Sequence, residues 1–310
     1  MYQRLKAFIE AHDTITIFTH IYVDGDAVGS VQGMKALITA NYPHKKVYAI
    51  HEDVAPFNDI LGLSDVVSDE IIKKSAALIV DVANGSRVSD ERYKLAKYSF
   101  KLDHHIFVET FTTDEIVNNE RIATAEMIGE FLMRESLLIN EHGATALALG
   151  IITDSGRFFY DLTSALTFEV MAFLLNAGAN FKKINESLAK RDIDGLKQRG
   201  YFMSNYAISG RVIYIHIPYA KLTELNILPS DGSSYVNMYG NFDGYPLWVT
   251  FFSDANGVVF TELRSKTHNV QKVAKAFGGG GHLKASGCRL TNEAQIADVL
   301  RALNTAEELI

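Results

Sequence analysis

Residues 14–40 read TITIFTHIYVDGDAVGSVQGMKALITA, and the fold class follows from where this stretch changes its period. Residues 14–19 form a short apolar run that predicts a buried strand, and residues 27–40 repeat their apolar positions at helical spacing. The polar residues His20, Asp24 and Asp26 lie between the two. The alternation then continues along the chain. Residues 46–50, 76–80 (AALIV) and 98–102 predict three more strands, and residues 123–134, 141–152 and 164–176 predict helices. Strands alternating with helices argue for an α/β fold with a doubly wound, mainly parallel sheet.

Ala177-Gly178-Ala179-Asn180 supplies a helix stop, and residues 181–198 read as a polar helical stretch. Beyond it the pattern changes. Residues 211–217 (RVIYIHI) alternate as a strand, and residues 247–252 and 258–263 flank Asp254-Ala255-Asn256-Gly257, a hairpin turn signal. Helices at 270–277 and 292–304 complete a smaller α+β domain. The expected organisation is an α/β domain over residues 1–180, a helical linker over 181–206 and a smaller α+β domain over 207–310.

Composition narrows the class. The 310 residues are 47% hydrophobic and 22% charged with five prolines, which excludes a disordered, collagen-like or coiled-coil chain. No apolar stretch reaches the 18 or so residues of a membrane span, and residues 1–6 lack the apolar core of a signal peptide. A single cysteine, Cys288, forms no internal disulfide, so the expected location is the cytoplasm. The formal charge of −7 disfavours a partner that is a long duplex nucleic acid. One window departs from that average. Residues 264–289 carry six Lys or Arg and no acid, together with four successive glycines, Gly278, Gly279, Gly280 and Gly281.

The informative side chains sit where the apolar runs end. His20, Asp24 and Asp26 follow the first strand, Asp81 the third, Asp103-His104-His105 the fourth, and Asp154 closes an apolar helix. Singly each has an ordinary explanation: Asp26 as a helix cap, Asp81 and Asp154 as turn or cap residues, His20 as a capping histidine. In an open α/β sheet, however, ligands bind beyond the carboxyl ends of the strands. If these clusters converge, Asp24, Asp26, Asp81 and Asp154 repel pairwise by roughly 3 kcal/mol at ~5 Å and an effective dielectric of 20. Protons or cations must then compensate them. Imidazole with carboxylate suits Mn²⁺, and two such ions clamp a phosphoryl group for in-line displacement by a bridging hydroxide.

These motifs, in this order, resemble the DHH/DHHA1 phosphoesterase family. His20-x-x-x-Asp24-x-Asp26 is similar to its first motif, Asp81 in VDVAN to the second, Asp103-His104-His105 to the third and Asp154-Ser-Gly to the fourth. Gly278–Gly281 with His282, followed by Ala285-Ser286-Gly287, is similar to the C-terminal signature. Val23 departs from the proline that relatives often carry. The resemblance implies two Mn²⁺ ions, with Mg²⁺ or Co²⁺ as substitutes. It places the first on His20, Asp24 and Asp81, and the second on Asp26, Asp81, His104 and Asp154. It also implies His105 as a donor or acid at the substrate phosphate, with Asp103 orienting the histidine pair. The glycine run, Arg264, His282 and Ser286 would bind a substrate phosphate.

The function so implied is hydrolysis of short oligoribonucleotides and of 3′-phosphoadenosine 5′-phosphate. A cyclic di-AMP or pApA phosphodiesterase is the alternative within the same chemistry, and a catalytically silent nucleotide-binding protein is the alternative outside it. The expected partners are short RNA or small nucleotides, with no membrane, and a homodimer is compatible with this reading.

Overall fold

A computed structural model describes residues 2–190 and 193–309, except for the side chains of residues 55 and 56. The chain forms two compact units, Met1–Lys190 and Arg191–Ile310.

The first unit holds strands β1 (Thr14–Phe18), β2 (Lys46–Ile50), β3 (Ala76–Val80), β4 (Tyr98–Asp103) and β5 (Asp114–Val117) in the order β2-β1-β3-β4-β5, all parallel. All five residues of β3 are buried, as a central strand covered on both faces requires. Side chains alternate between two layers. Ile15, Ile17, Leu78, Val80, Phe100 and Leu102 pack into one core, while Phe18, Ala77 and Ile79 pack into a second on the other face. The larger core is covered by α1 (Gln3–Ala11), α2 (Gly25–Asn41), α5 (Thr124–Arg134) and α6 (Glu141–Asp154), with α7 (Ala165–Asn176) and α8 (Phe181–Ala189) behind them. Two shorter helices, α3 (Ala55–Leu61) and α4 (Asp69–Lys74), lie between β2 and β3 in sequence.

One packing feature brings distant polar residues together. Gly25, Gly29 and Gly33 recur every four residues along one face of α2, and α6 lies against that stripe. A methyl at Gly29 would stand 2.4 Å from the Ala146 carbonyl oxygen, and one at Gly25 would stand 2.4 Å from Thr153 Oγ1. Overpacking of this kind costs roughly 1–3 kcal/mol. The glycines therefore allow the start of α2, carrying Asp26, to approach the end of α6, carrying Asp154.

The second unit opens with α9 (Ile193–Ser204) and builds a six-stranded mixed sheet. Its strands are β6 (Ala207–Ser209), β7 (Val212–Ile217), β8 (Leu247–Ser253), β9 (Val259–Ser265), β10 (Gly280–Gly281) and β11 (Ala285–Leu290), in the order β10-β11-β9-β8-β7-β6. Only β7 and β8 pair in parallel. The β8–β9 hairpin turns where the sequence signals it, with Gly257 at φ +81° and Asp254 N–H donating to the Val258 carbonyl at 2.8 Å. Helices α10 (Tyr219–Glu224), α11 (Gly232–Val236), α12 (Val270–Ala276) and α13 (Ile296–Asn304) complete the unit. Phe251 and Phe252 are fully buried on opposite sides of the sheet, in two separate cores.

The sequence reading did not find α1, α3, α4, β5, β6, α10, α11, β10 or β11. Among these, α1 buries only Leu5 and Ile9, β5 (DEIV) buries only Ile116, and β11 (ASGCRL) has a glycine in its interior. The stretch 181–198, read as one helix, contains α8 and the start of α9; positions 191 and 192 between them lie outside the described residues.

Candidate metal centre

The polar clusters at the ends of β1, β3 and β4 and at the end of α6 meet in the first unit. Asp81 lies at the middle of the group. Its Oδ2 is 3.4 Å from His20 Nε2, and its Oδ1 is 3.5 Å from His104 Nε2. His20 Nε2 is also 3.8 Å from Asp24 Oδ2. His104 Nε2 is 3.2 Å from Asp154 Oδ2 and 4.0 Å from Asp26 Oδ2. One carboxylate thus faces two imidazoles with its two oxygens, and each imidazole has acidic neighbours of its own.

The backbone holds these groups in place. Asp81 takes left-handed backbone at φ 61°, which aspartate tolerates better than most side chains. Its N–H donates to the Leu102 carbonyl at 3.0 Å. Asp24 caps α2, accepting from Ala27 N–H at 3.0 Å through Oδ1 and leaving Oδ2 toward His20. The cap anticipated at Asp26 is therefore provided by Asp24. Asp26 is completely buried and faces a different helix: Thr124 and Ala125, opening α5, donate their backbone N–H groups to its Oδ2 and Oδ1 at 2.7 and 2.9 Å. The free donors and positive end of α5 suit a carboxylate. Thr124 also donates its hydroxyl to Asp81 Oδ1 at 3.0 Å. Sequence reasoning missed Thr124 and Ala125, and the only available signal was their place at a helix start.

Backbone carbonyls hold two of the histidine rings in place. His20 Nδ1 bonds the Ile21 carbonyl at 2.8 Å and His104 Nδ1 bonds the Arg121 carbonyl at 3.2 Å. Donation there leaves Nε2 as the acceptor nitrogen on each ring. His105 Nδ1 bonds Asp103 Oδ1 at 2.7 Å, while Asp103 Oδ2 is buried with no hydrogen-bond partner among the described residues.

Charge explains the titration of the group. Burial disfavours the charged imidazole of His20, but neighbouring Asp81 overcomes this and raises it to about 9. For His104 the opposing pull of burial is overcome by Asp154, Asp26 and Asp81, which raise it to about 10. Burial would push Asp81 up, yet the three surrounding histidines hold it down at about 2. Asp26 lies well above the usual carboxylate range because of its burial and of nearby Asp81 and Asp154. Cations answer this concentration of acidic groups as well as protons do. His20, Asp24 and Asp81 offer ligand atoms within 4.8 Å of one another, as do Asp26, His104 and Asp154, and Asp81, His104 and His105. A cation bonded at about 2.1 Å sets adjacent ligands roughly 3.0–3.4 Å apart, so contacts of 3.2–4.0 Å fit with small closure.

The sequence also nominated a group in the second unit. The glycine run chiefly serves its own turn. Gly278, at φ +75°, ends α12 and donates to the Lys275 carbonyl at 3.1 Å, while Gly279 donates to Ala274 at 2.9 Å. A methyl at Gly279 would stand 2.1 Å from the Gly287 carbonyl oxygen. Gly280 and Gly281 pair with Gly287 and Ser286. His282 is exposed, and its N–H is engaged by the Ala285 carbonyl at 2.7 Å. The Ser286 hydroxyl donates to the His282 carbonyl at 2.7 Å. Arg264, opposite Ala285 across the sheet, has Nη1 against Glu262 Oε2 and the Leu263 carbonyl, each at 3.0 Å. Cys288 is buried, and burial pushes its thiol up to about 11.

Comparison with known proteins accords with both units. The DHH family N-terminal domain model matches residues 14–151, and the DHHA1 domain model matches residues 211–308. The bifunctional oligoribonuclease and PAP phosphatase NrnA of Mycoplasma genitalium is 33% identical over 298 residues, 94% of this chain and 93% of that protein. The protein of the same name from Bacillus subtilis is 26% identical over 96% of each chain. A crystal structure of an exopolyphosphatase-related protein from Bacteroides fragilis shares the fold, with a TM-score of 0.85 over 97% of this chain and 95% of that one at 21% identity.

Proposed function

The chain belongs to the DHH phosphoesterase family and carries its DHHA1 domain, and on that premise we propose that it is a Mn²⁺-dependent hydrolase of short oligoribonucleotides and of 3′-phosphoadenosine 5′-phosphate. The observation that carries the reading is Asp81, whose two oxygens face His20 and His104 separately. This is the arrangement a carboxylate needs to serve two cations at once.

In this proposal His20, Asp24 and Asp81 hold one ion, and Asp26, Asp81, His104 and Asp154 hold the second. The pair would neutralise the phosphoryl oxygens and supply an acidified water as nucleophile. The protein's own groups do the rest. Thr124 and Ala125 keep the Asp26 oxygens directed, and the Ile21 and Arg121 carbonyls keep each Nε2 available. Asp103 aligns His105 through Nδ1, so that Nε2 of His105 is free to donate a proton to the substrate phosphate or leaving oxygen.

In the DHHA1 unit, Arg264, His282 and the side of the glycine turn around Gly280 would bind a terminal phosphate. That assignment draws on side chains, because the N–H groups of Gly278, Gly279 and His282 already have acceptors. A formal charge of −7 and a local cationic window favour short substrates over long polymers. No helix among the described residues is long and apolar enough to cross a membrane, and the proposed location is the cytoplasm.

Initial rates with Mn²⁺ on a di- and trinucleotide, 3′-phosphoadenosine 5′-phosphate, pApA and cyclic di-AMP test the reading. It requires turnover of the short RNAs and the bisphosphate. Turnover confined to cyclic di-AMP or pApA would replace the substrate and keep the chemistry. Nucleotide binding with no product from any of the five would overturn the enzyme.

A further inference from the structure

The chain after Asp154 makes a turn that ligation of a cation does not require. Gly156, Arg157 and Phe158 all take left-handed backbone, at φ 56°, 60° and 69°. Side chains other than glycine adopt this region singly and at a cost, so a run of three has to be held by its surroundings. Ser155, fully buried, does much of the holding. Its hydroxyl oxygen accepts from Phe158 N–H at 2.9 Å, and its carbonyl accepts from Phe159 and Tyr160 N–H at 2.9 and 3.1 Å. The Arg157 N–H donates to the Ile152 carbonyl at 2.8 Å.

The turn determines where three aromatic rings go. Phe158 turns inward against Phe168, with ring centres 5.3 Å apart. Tyr160 is laid across Gly156: a methyl at that glycine would stand 2.6 Å from the ring carbon Cζ and 2.8 Å from Cε2. Phe159 meets the Tyr160 ring edge to face at 6.4 Å. Even so, Tyr160 remains 52% exposed. A large aromatic ring is thus fixed on one side by Gly156 and open on the other, and the Cα of that glycine lies two residues of chain, at most ~7 Å, from the Cα of Asp154 in the candidate metal centre. A ring in van der Waals contact with Gly156 therefore stands within roughly 11 Å of the Asp154 Cα, about the reach of one nucleotide from its phosphate to the far edge of its base.

Resting on the phosphoesterase reading, we propose that Tyr160 is a specificity residue on whose open face the base of the bound nucleotide stacks. The ligands it favours are unpaired nucleotides, and base-free phosphate esters gain nothing from it. Base–aromatic stacking tolerates any base, because every base has a π face.

Adenosine 5′-monophosphate and ribose 5-phosphate, titrated by calorimetry into the Mn²⁺-loaded full chain, separate the base from the phosphate. Tyr160→Leu keeps an apolar cover on Gly156 and removes the π face, while Tyr160→Phe keeps both. The expected result is about tenfold weaker binding of the nucleotide to Tyr160→Leu, within twofold of wild type for Tyr160→Phe, and no change for ribose 5-phosphate in either. Equal weakening of both ligands, or unchanged nucleotide affinity in Tyr160→Leu, overturns the proposal. Dinucleotide hydrolysis by the wild type, measured in parallel, keeps the two readings apart. Hydrolysis with no dependence of nucleotide affinity on Tyr160 removes the stacking role alone. The affinity pattern without hydrolysis upholds stacking and removes the phosphoesterase reading.

Discussion

Thr124 donates its hydroxyl to Asp81 Oδ1 at 3.0 Å, although 43 residues of chain separate the two. That oxygen is the one facing His104, so a helix start fixes the carboxylate proposed to bridge two cations. Thr124→Val preserves the shape and removes the donor. Loss of a partner that orients a ligand costs roughly 10–100-fold in metal affinity or activity. Mn²⁺ titration should show that loss with little change in Tm, and Thr124→Ser should restore most of it.

Removing a proposed ligand is expected to be more severe. His104→Ala and Asp81→Asn should each lower turnover at least about a thousandfold while circular dichroism stays native. Asparagine is the better replacement at position 81, because the φ of 61° penalises alanine. Full Mn²⁺-dependent activity in either variant would remove the ligand assignment.

Acid and base each remove stability from the metal-free protein, through different groups of the same cluster. His20 and His104, at about 9 and about 10, lie above the 6.5 of an ordinary histidine. Their contribution to stability is complete below about pH 6.5 and is lost as pH rises through 9–10. Asp81, at about 2, contributes above the ordinary 3.8, and that share is lost as pH falls toward 2. Melting temperatures of the metal-free chain should therefore decline from pH 7 to pH 10. Cation binding needs both imidazoles deprotonated, so Mn²⁺ should release about two protons at pH 7 and bind more tightly as pH rises. Calorimetry in buffers of different ionisation enthalpy measures the number released.

Arg264→Ala should separate the two units functionally. A lost charged hydrogen bond is worth about 1.5–3 kcal/mol, or roughly 10–100-fold in substrate KM. Metal content by elemental analysis should be unchanged. Arg264→Lys is not expected to recover the loss, because lysine lacks the planar fork that grips a phosphate.

Lys101 tests the loop that follows His105. Its side chain is fully buried, with Nζ 2.9 Å from Glu115 Oε2, 3.3 Å from the Glu109 carbonyl, and over the rings of Phe107 and Phe111. Lys101→Met leaves Glu115 without its buried partner and should cost about 3 kcal/mol, the low end of the roughly 3–5 kcal/mol for a broken buried pair, because Glu115 reaches solvent. Urea denaturation measures that cost.

The sequence alone carried four strands of the first sheet and the polar residues that follow three of them. Periodicity placed the strands at 14–19, 46–50, 76–80 and 98–102, and the acids and histidines followed their ends, because burial on both faces enforces apolar runs and strand termini are where polar groups meet solvent. Weakly patterned pieces such as β5 and β11 escaped, since β5 buries a single residue and the alternating buried positions of β11, Ser286, Cys288 and Leu290, include only one large apolar side chain and flank a glycine.

Only the tertiary structure decided which donor meets which acceptor. Asp26 looked like the cap of its own helix, but it accepts from Thr124 and Ala125 nearly a hundred residues away, an approach for which Gly150 of α6 leaves room, since a methyl there would stand 2.7 Å from Ala125 Cβ and 2.8 Å from Asp26 Oδ1. The glycine run 278–281 looked like an anion cradle, yet Gly278 and Gly279 direct their N–H groups to the last carbonyls of α12. The position of the Tyr160 ring over Gly156 depends on a run of left-handed residues that no local pattern signals. Hydrogen bonds reach only about 3 Å, and the pairings they make across the fold are set by the packing distances between elements, which side-chain periodicity does not encode.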